Sequence, residues 1–428
     1  MEFLQLAVLL LPMVTLIALG LPIFLSMGMS CLIFTFLFDV PIMILAQSFV
    51  RGLGSYDFLA LPFYFLAGDL MNAGGITSRL VNFSTAFIGH IRGGLSHVTI
   101  LASMVFSGVS GSAVADASAI GSLLIPSMKR EGFPSAYAAA VTAAAATIGP
   151  IIPPSIPMVV YGLLCGVSVG KLFLAGAIPG ILMGVYLFIA SIIISYRRGY
   201  PSRPRATLKQ LVRSTKDASF ALIMPLIILG GIITGIVTPT EAGVIAVAYG
   251  FGVGSLVYRE LKPKDIGRIF SETMINSATV LIIIATSGLF SWIIANMGLG
   301  DAIIRVLLSI STNKWVILIL INIFFLLWGC VLDPMTALII MVPILVPLVQ
   351  KLGIDAIHFG LVVIMNLMIG LVTPPVGFVL YLTSSIAKVE LEKTVKELIP
   401  FLIALLLVLM VCTFFPAIVL WLPKLLMG

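Results

Sequence analysis

Charged side chains are scarce in this chain. Only 10% of its 428 residues are Asp, Glu, Lys or Arg, whereas 60% are hydrophobic. A soluble domain carries about a quarter charged residues, so an ordinary globular protein is excluded. A disordered chain and a nucleic-acid-binding protein are excluded too, despite the net charge of +7, because both spread charge over solvated surface. The remaining class is a protein embedded in a lipid bilayer, and its continuous apolar runs indicate helices rather than strands.

Cysteine and histidine are rare as well. The four cysteines stand apart in separate apolar runs, and the three histidines lack the H-x-x-x-H spacing of a helical metal site. A disulfide framework, a transition-metal centre and a Ser-His-Asp triad are therefore not indicated. We expect a protein that is not an enzyme and that holds no cofactor.

Apolar stretches of spanning length recur along the whole chain, since a spanning helix needs about 20 residues. They cover 4–20, 21–38, 57–72, 134–166, 171–195, 219–236, 241–257, 276–297, 355–386 and 398–422. Segment 259–274 mixes charge with apolar residues and is expected at the membrane interface. Two further apolar stretches, 95–128 and 315–350, are interrupted by Gly, Ser, Asp or Pro. Each stretch is too long for one spanning helix and does not readily form two full ones. This predicts a re-entrant hairpin of two half-depth helices.

The segment 196–217 is the one soluble-looking stretch, and it holds seven of the 24 Lys and Arg residues. We expect the N-terminus outside and this linker in the cytoplasm. Eighteen of the 24 basic residues then fall in cytoplasmic connections, as the positive-inside rule requires.

The two halves of the chain repeat one another. The motifs GPIIPP (149–154) and GLVTPP (370–375) lie 221 positions apart, and the same shift superposes Gly108 on Gly329 and Pro126 on Pro347. Each half has five crossings and one hairpin, and an odd number of crossings inverts the second half relative to the first. The prediction is an all-α polytopic membrane protein with inverted repeats. Its parts are a first repeat (1–195, hairpin 95–128, broken helix 134–166), the linker 196–217, and a second repeat (218–428, hairpin 315–350, broken helix 355–386).

Paired prolines interrupt one spanning segment in each half, and this predicts a binding site near mid-membrane. Pro153-Pro154 and Pro374-Pro375 remove amide donors and clash with the preceding turn, so each helix unwinds there. The freed carbonyl oxygens suit a dehydrated sodium ion, and an opposing half-helix N-terminus suits a carboxylate. The alternative is a proline kink that only shapes packing.

The hairpin tips contain small residues and two acids. The first tip reads SGVSGSA (107–113) and is followed by Asp116, and the second contains Asp333. A carboxylate inside the membrane indicates a functional site, and the alternative is a cap for tip amides; both roles can coexist. Glu241 is interpreted as a helix cap, and Asp69 and Asn72 as packing and turn residues.

At these residues the chain resembles a known family. The matching segments are AGDLMNAGGIT (67–77), FSGVSGSAVADASAIG (106–121), IGPIIPPSIPMVVYG (148–162), GIVTPTEAG (235–243) and GLVTPPVGFVLYLTSSIA (370–387). Together they resemble the large membrane subunit of the tripartite ATP-independent periplasmic (TRAP) transporters of bacteria, of the DctM or SiaM type. The resemblance implies an elevator-type carrier in the inner membrane, driven by sodium and importing a small organic acid. It also implies two partners, a small four-helix membrane subunit on a separate polypeptide and a soluble periplasmic substrate-binding protein.

The resemblance further implies particular ligands. Sodium is the one metal ion expected, bound by Ser107, Gly111, Ser112, Gly149, Ile152 and Pro153 at the first site and by Gly329, Asp333, Gly370, Thr373 and Gly377 at the second. The substrate is expected between the tips on the hydroxyls of Ser112 and Ser155, with Asp116 and Asp333 coupling sodium to transport. Sialic acid is the favoured substrate and a C4-dicarboxylate the alternative. A stand-alone sodium/dicarboxylate symporter, a channel and a non-transporting membrane scaffold are the other functions considered.

Overall fold

The computed structural model describes residues 2–54, 56–298, 305, 309–330 and 332–428. Nineteen α-helices and no strand occur in these residues. The first half holds α1 (Glu2–Ala18), α2 (Ile23–Leu37), α3 (Ile42–Gly52), α4 (Ala60–Ala73), α5 (Ile76–Ile88), α6 (Gly94–Ser110), α7 (Ala113–Arg130), α8 (Ser135–Ala146), α9 (Ile156–Cys165) and α10 (Val169–Arg198). The second half holds α11 (Leu208–Ile233), α12 (Pro239–Gly252), α13 (Pro263–Asn296), α14 (Lys314–Gly329), α15 (Pro334–Lys351), α16 (Ala356–Gly370), α17 (Phe378–Ala387), α18 (Leu391–Phe414) and α19 (Pro416–Met427).

Six of the described helices are long and apolar enough to cross a membrane. They are α10, α11, α12 with its π-helical extension to Val257, α13, α15 and α18. The half-helices α6, α8, α9, α14, α16 and α17 have 10–17 residues, and at 1.5 Å per residue none of them spans a hydrocarbon core of about 30 Å alone. The predicted all-helical polytopic membrane fold is confirmed.

The 221-residue shift seen in the sequence also relates the helices. When 221 is added to the first residue of each helix from α6 to α10, the result lies within one residue of the start of its counterpart among α14 to α18. In both halves a helix pair joined at a tip is followed by a helix pair separated at the Pro-Pro motif. The two halves therefore repeat the same order of elements. Residue 331 at the second tip and residues 299–304 and 306–308 of the second half lie outside the described residues.

Local sequence accounts for most helix starts. Thr207 with Gln210, and Thr238 with Glu241, form reciprocal capping boxes at α11 and α12, so Glu241 has the capping role expected for it. Of the linker 196–217, residues 199–207 are non-helical and the last ten residues belong to α11. Most of segment 259–274 forms the start of α13, which has Pro263 in its first turn and runs unbroken to Asn296. No proline follows Pro263 within that helix, so its turns continue without a break.

The helices pack in two groups. The central group is α6–α10 with α14–α19, and the flanking group is α1–α5 with α11–α13. Helix α8 lies in the middle of the central group against α7, α17 and α18. Its alanine-rich stretch from Tyr137 to Ala146 is buried almost completely, because small side chains let neighbouring backbones approach closely.

Candidate functional site

A cavity of about 680 Å³ lies where the half-helices meet. Every hairpin limb and every broken-helix limb ends at its wall. One lining residue lies at or next to each of these ends: Ser110 (α6), Ala113 (α7), Pro150 (after α8), Ile156 (α9), Gly329 (α14), Pro334 (α15), Leu371 (after α16) and Phe378 (α17). Four N-termini and four C-termini therefore converge on one space. The N-termini present positive and the C-termini negative partial charge to it.

The first tip packs against the break between α8 and α9. Gly111 has a left-handed φ of 60°, and a Cβ built there lies 2.7 Å from the carbonyl oxygen of Pro154. Ser112 caps α7, because its hydroxyl accepts from the amide of Ala115 at 3.4 Å. Ser112 also lines the cavity. Only glycine fits at position 111, and it brings the tip and the break together.

Asp116 is buried completely under this tip. The Ser110 hydroxyl donates to its Oδ1, and the Ser107 hydroxyl lies 3.5 Å from its Oδ2. A Cβ at Gly149 lies 2.5 Å from the same Oδ2, so the carboxyl group rests directly on the first break. The alternative interpretation of Asp116 as a cap for tip amides is wrong, because Ser112 performs that role and Asp116 accepts from hydroxyls.

Asp333 has a different environment at the second tip. Its Oδ2 accepts from the amides of Met335 at 3.0 Å and Thr336 at 3.2 Å, so it caps α15. It also lines the cavity and is exposed to it. The capping role is thus present in the structure, and it leaves the carboxylate accessible to a ligand.

The residues predicted for the first sodium site lie close together. The tip contacts the break through Gly111 and Asp116, as described above. The carbonyl oxygens of Gly149, Ile152 and Pro153 accept no hydrogen bond from any described residue. Buried carbonyl groups normally have a partner, so these three are available to a cation. The donor set of hard oxygen atoms fits sodium.

The residues predicted for the second sodium site are also neighbours. A Cβ at Gly370 lies 2.8 Å from the Cα of Gly329, so α14 and α16 meet there backbone to backbone. A Cβ at Gly377 lies 3.2 Å from the carbonyl oxygen of Thr373, which accepts no hydrogen bond within the described chain. The carbonyl of Gly370 already accepts from the Thr373 amide, and that of Gly377 from the Tyr381 amide. Fewer backbone oxygens are free here than at the first site.

The two serines predicted to bind substrate are placed differently. Ser112 faces the cavity. Ser155 is buried, caps α9 by accepting from the Met158 amide at 3.3 Å, and donates its own hydroxyl to the carbonyl of Pro150. It does not border the cavity, whose lining on that limb begins at Ile156.

Sequence reasoning missed the wall of the cavity that the flanking group supplies. Asp69 and Asn72 of α4, with Asn276 and Thr279 of α13, line the cavity on the flanking-group side. Oδ2 of Asp69 accepts from the Thr273 hydroxyl at 2.9 Å, which joins the two helices. The available signal was polar residues three positions apart in apolar helices, since such residues usually face the protein interior or a cavity. The interpretation of Asp69 and Asn72 as packing residues alone was incomplete.

No group of three or more His, Cys, Asp or Glu side chains able to hold a metal ion occurs in the described part of the chain. A helical membrane protein whose half-helix ends surround one cavity belongs to the class of secondary carriers.

The comparisons with known proteins identify the family. Residues 10–418 match the family model described as the tripartite ATP-independent periplasmic transporter, DctM component. The chain belongs to this family. It is therefore a multi-pass inner-membrane protein and a transporter permease subunit rather than an enzyme, as the sequence predicted.

Relatives in the family carry different substrate names. The chain is 40% identical to the sialic acid TRAP transporter large permease protein SiaM of Vibrio cholerae, over 96% of each chain. It is 38% identical to the C4-dicarboxylate TRAP transporter large permease protein DctM of Pseudomonas aeruginosa, over 86% of each. Among solved structures, the YdaH transporter of Alcanivorax borkumensis matches with a TM-score of 0.62 at 14% identity, over 87% of each chain. That likeness concerns the fold alone.

Proposed function

We propose that this protein is the large permease subunit of a sodium-driven TRAP transporter that imports a small organic acid. The substrate is delivered by a periplasmic binding protein, and sialic acid is the first candidate. The observation that carries the proposal is the convergence of four half-helix N-termini and four C-terminal ends on one cavity. The volume of about 680 Å³ lies within the range of small-molecule sites.

Opposite charges are accommodated by opposite helix ends. A carboxylate is stabilised at N-termini, where first-turn amides lack intrahelical partners. A sodium ion is stabilised by carbonyl oxygens, which the break at 147–155 leaves unpaired at Gly149, Ile152 and Pro153. At the second site Gly329, Asp333 and Thr373 are the available oxygen donors. Binding both ions in one cavity favours coupled transport.

The packing supports an elevator mechanism. All four hairpin limbs and all four broken-helix limbs belong to the central group, so the tips and the breaks can move together against the flanking group. Some contacts between the groups involve small residues. For example, a Cβ at Gly68 of α4 lies 3.5 Å from the carbonyl oxygen of Ser110 at the first tip.

The exposed surface of the flanking group supports a membrane partner. Helices α2 and α3 and the loop between them expose large apolar side chains, among them Phe36, Leu37, Ile42, Met43 and Val50. Such a surface suits either lipid or another apolar helix. We assign the small four-helix subunit to this group, as the family membership implies.

The test is uptake of labelled acids into proteoliposomes, with and without an inward sodium gradient, the small subunit and the binding protein. We expect uptake of sialic acid only when the gradient and both partners are present. Full uptake of a dicarboxylate by this chain alone would support the stand-alone symporter instead. Absence of any uptake with all components present would support a non-transporting scaffold.

A further inference from the structure

Two amide side chains meet in the interior between α14 and α16. Asn322 and Asn366 are buried almost completely, and Nδ2 of Asn366 donates to Oδ1 of Asn322 at 2.8 Å. Nδ2 of Asn322 in turn donates at 3.0 Å to the hydroxyl of Thr413 on α18, which donates at 2.8 Å to the carbonyl of Leu409. A directed chain of hydrogen bonds, the amide chain, therefore joins three helices of the central group.

The amide chain is not needed to hold these helices together. Asn322 is the one polar residue of 316–327, and Asn366 is the one polar residue of 359–369, so an apolar seam already joins α14 to α16. Both Nδ2 hydrogens of Asn366 are engaged, the second by the carbonyl of Val362 at 2.7 Å, and its Oδ1 accepts from no described residue. An apolar pair of the same shape would pack here at no greater cost. A buried asparagine pair in an apolar seam is typical of a device that selects one axial register.

The same two helices meet again at the second predicted sodium site. Gly329 lies seven residues after Asn322, and Gly370 lies four residues after Asn366, so each glycine shares a helix face with its asparagine. A Cβ at Gly329 lies 3.3 Å from the Cα of Leu367 and 3.4 Å from that of Gly370. The two contacts lie along one seam of parallel helices. A slip of one turn moves one helix by 5.4 Å and separates the glycines.

The first repeat lacks both features. At the positions of the amide chain, the 221-residue shift places the apolar residues Leu101, Ala145 and Ile192. Gly108 and Gly149 correspond to Gly329 and Gly370, but the atoms nearest to a Cβ at Gly108 belong to Pro225 and Pro153. The amide chain and the close glycine contact thus occur together in the second repeat, as expected if one sets the other.

We propose that Asn322, Asn366 and Thr413 are positioning residues that fix the register of α14 against α16 for the second sodium site. None of the three borders the cavity, so they act through Gly329 and Gly370. The amide chain holds the C-terminal ends of α14 and α16 at one depth, where their carbonyl groups reach the same ion. Sodium affinity depends on this preorganisation. The inference rests on the proposed sodium-driven carrier and adds the residues that shape its second sodium site.

The experiment breaks the amide chain at its far end, on α18. Thr413→Val keeps the shape of the side chain and removes the hydroxyl that Asn322 donates to, whereas Thr413→Ser keeps the hydroxyl. Uptake of labelled N-acetylneuraminate is measured against sodium concentration, at constant ionic strength, in proteoliposomes that also hold the small subunit and receive the binding protein. The sodium-induced rise in thermal stability of the purified permease with its small subunit is titrated in parallel, because it needs no substrate.

We expect the half-saturating sodium concentration to rise about five- to tenfold in Thr413→Val, since a buried amide loses its acceptor. Thr413→Ser should restore the wild-type value. The double variant Asn322→Leu/Asn366→Leu leaves neither member of the pair facing an unpaired amide. It should melt close to the wild-type temperature and still need more sodium. A purely structural role predicts that sodium dependence recovers together with stability.

The matched control is Thr394→Val, on the same helix as Thr413. The Thr394 hydroxyl is buried and accepts from the Ser384 hydroxyl at 3.0 Å, apart from the amide chain. This variant should lower thermal stability and leave sodium dependence unchanged. A wild-type sodium dependence in both Thr413→Val and the double leucine variant overturns the inference and leaves the proposed carrier intact. A wild-type protein that responds to sodium in neither assay refutes both.

Discussion

Gly149→Ala tests whether Asp116 and the first break form one unit. A Cβ at position 149 lies 2.5 Å from Oδ2 and 3.0 Å from Cγ of Asp116, closer than carbon and carboxyl atoms approach in proteins. Asp116 is fully buried and is held by the hydroxyl of Ser110, so its carboxyl group cannot swing away freely. Overpacking of this kind costs about 1–3 kcal/mol.

A loss of sodium affinity would show that the contact serves transport, whereas a loss of stability alone would show that it serves folding. If the carboxyl group and the carbonyl of Gly149 both contribute to a sodium site, the cost falls mainly on the sodium-bound state. A loss of 1–3 kcal/mol then raises the half-saturating sodium concentration by about 5- to 150-fold. The assays are sodium-dependent uptake of labelled acid in proteoliposomes and the sodium-induced rise in thermal stability in detergent.

Gly230→Ala is the matched control. No heavy atom lies within 4 Å of a Cβ built at Gly230, which is inside α11 of the flanking group. Alanine there should leave sodium dependence unchanged and stabilise the helix by up to about 1 kcal/mol. A Gly149→Ala variant with wild-type sodium dependence would show that the first site does not involve this contact.

Three further outcomes are expected. Asp333→Asn should lower sodium-dependent uptake more than it lowers thermal stability. Uptake with an unchanged sodium dependence would show that Asp333 is only a helix cap. Glu241→Ala removes one arm of the α12 capping box and should lower thermal stability slightly without altering sodium dependence; altered sodium dependence would indicate a role in transport. A single-cysteine variant at Arg205, in the non-helical linker, should react with an impermeant thiol reagent only from the cytoplasmic side; labelling from the periplasm would reverse the predicted topology.

The half-helices were predictable because their causes are local. The prolines at 153–154 and 374–375 break a helix in any environment, and small residues at the tips end one helix and begin the next. The 221-residue shift then predicted that both halves carry the same elements. Charged residues at the start of α13 do not interrupt its turns, so most of segment 259–274 belongs to a long helix, and its expected place at the membrane interface stays a prediction.

The roles of the two tip acids were less predictable. Asp116 and Asp333 are both short acids beside a helix start, and spacing alone allows each to be a cap or a ligand. The structure distinguishes them, because Ser112 already caps α7 and frees Asp116 for contact with the first break. That contact joins residues 33 positions apart, beyond the reach of helical periodicity.

The sequence by itself determined the membrane class, the repeat, the broken helices and the family, since each depends on composition or on neighbours along one chain segment. Only the tertiary structure decided that eight half-helix ends share one cavity, and that Asp69 and Asn276 line the same cavity. A pattern along one helix reports which residues share a face, but not what that face meets. The meeting of α4 and α13 with tips formed many residues away depends on packing between distant segments, which no local pattern specifies.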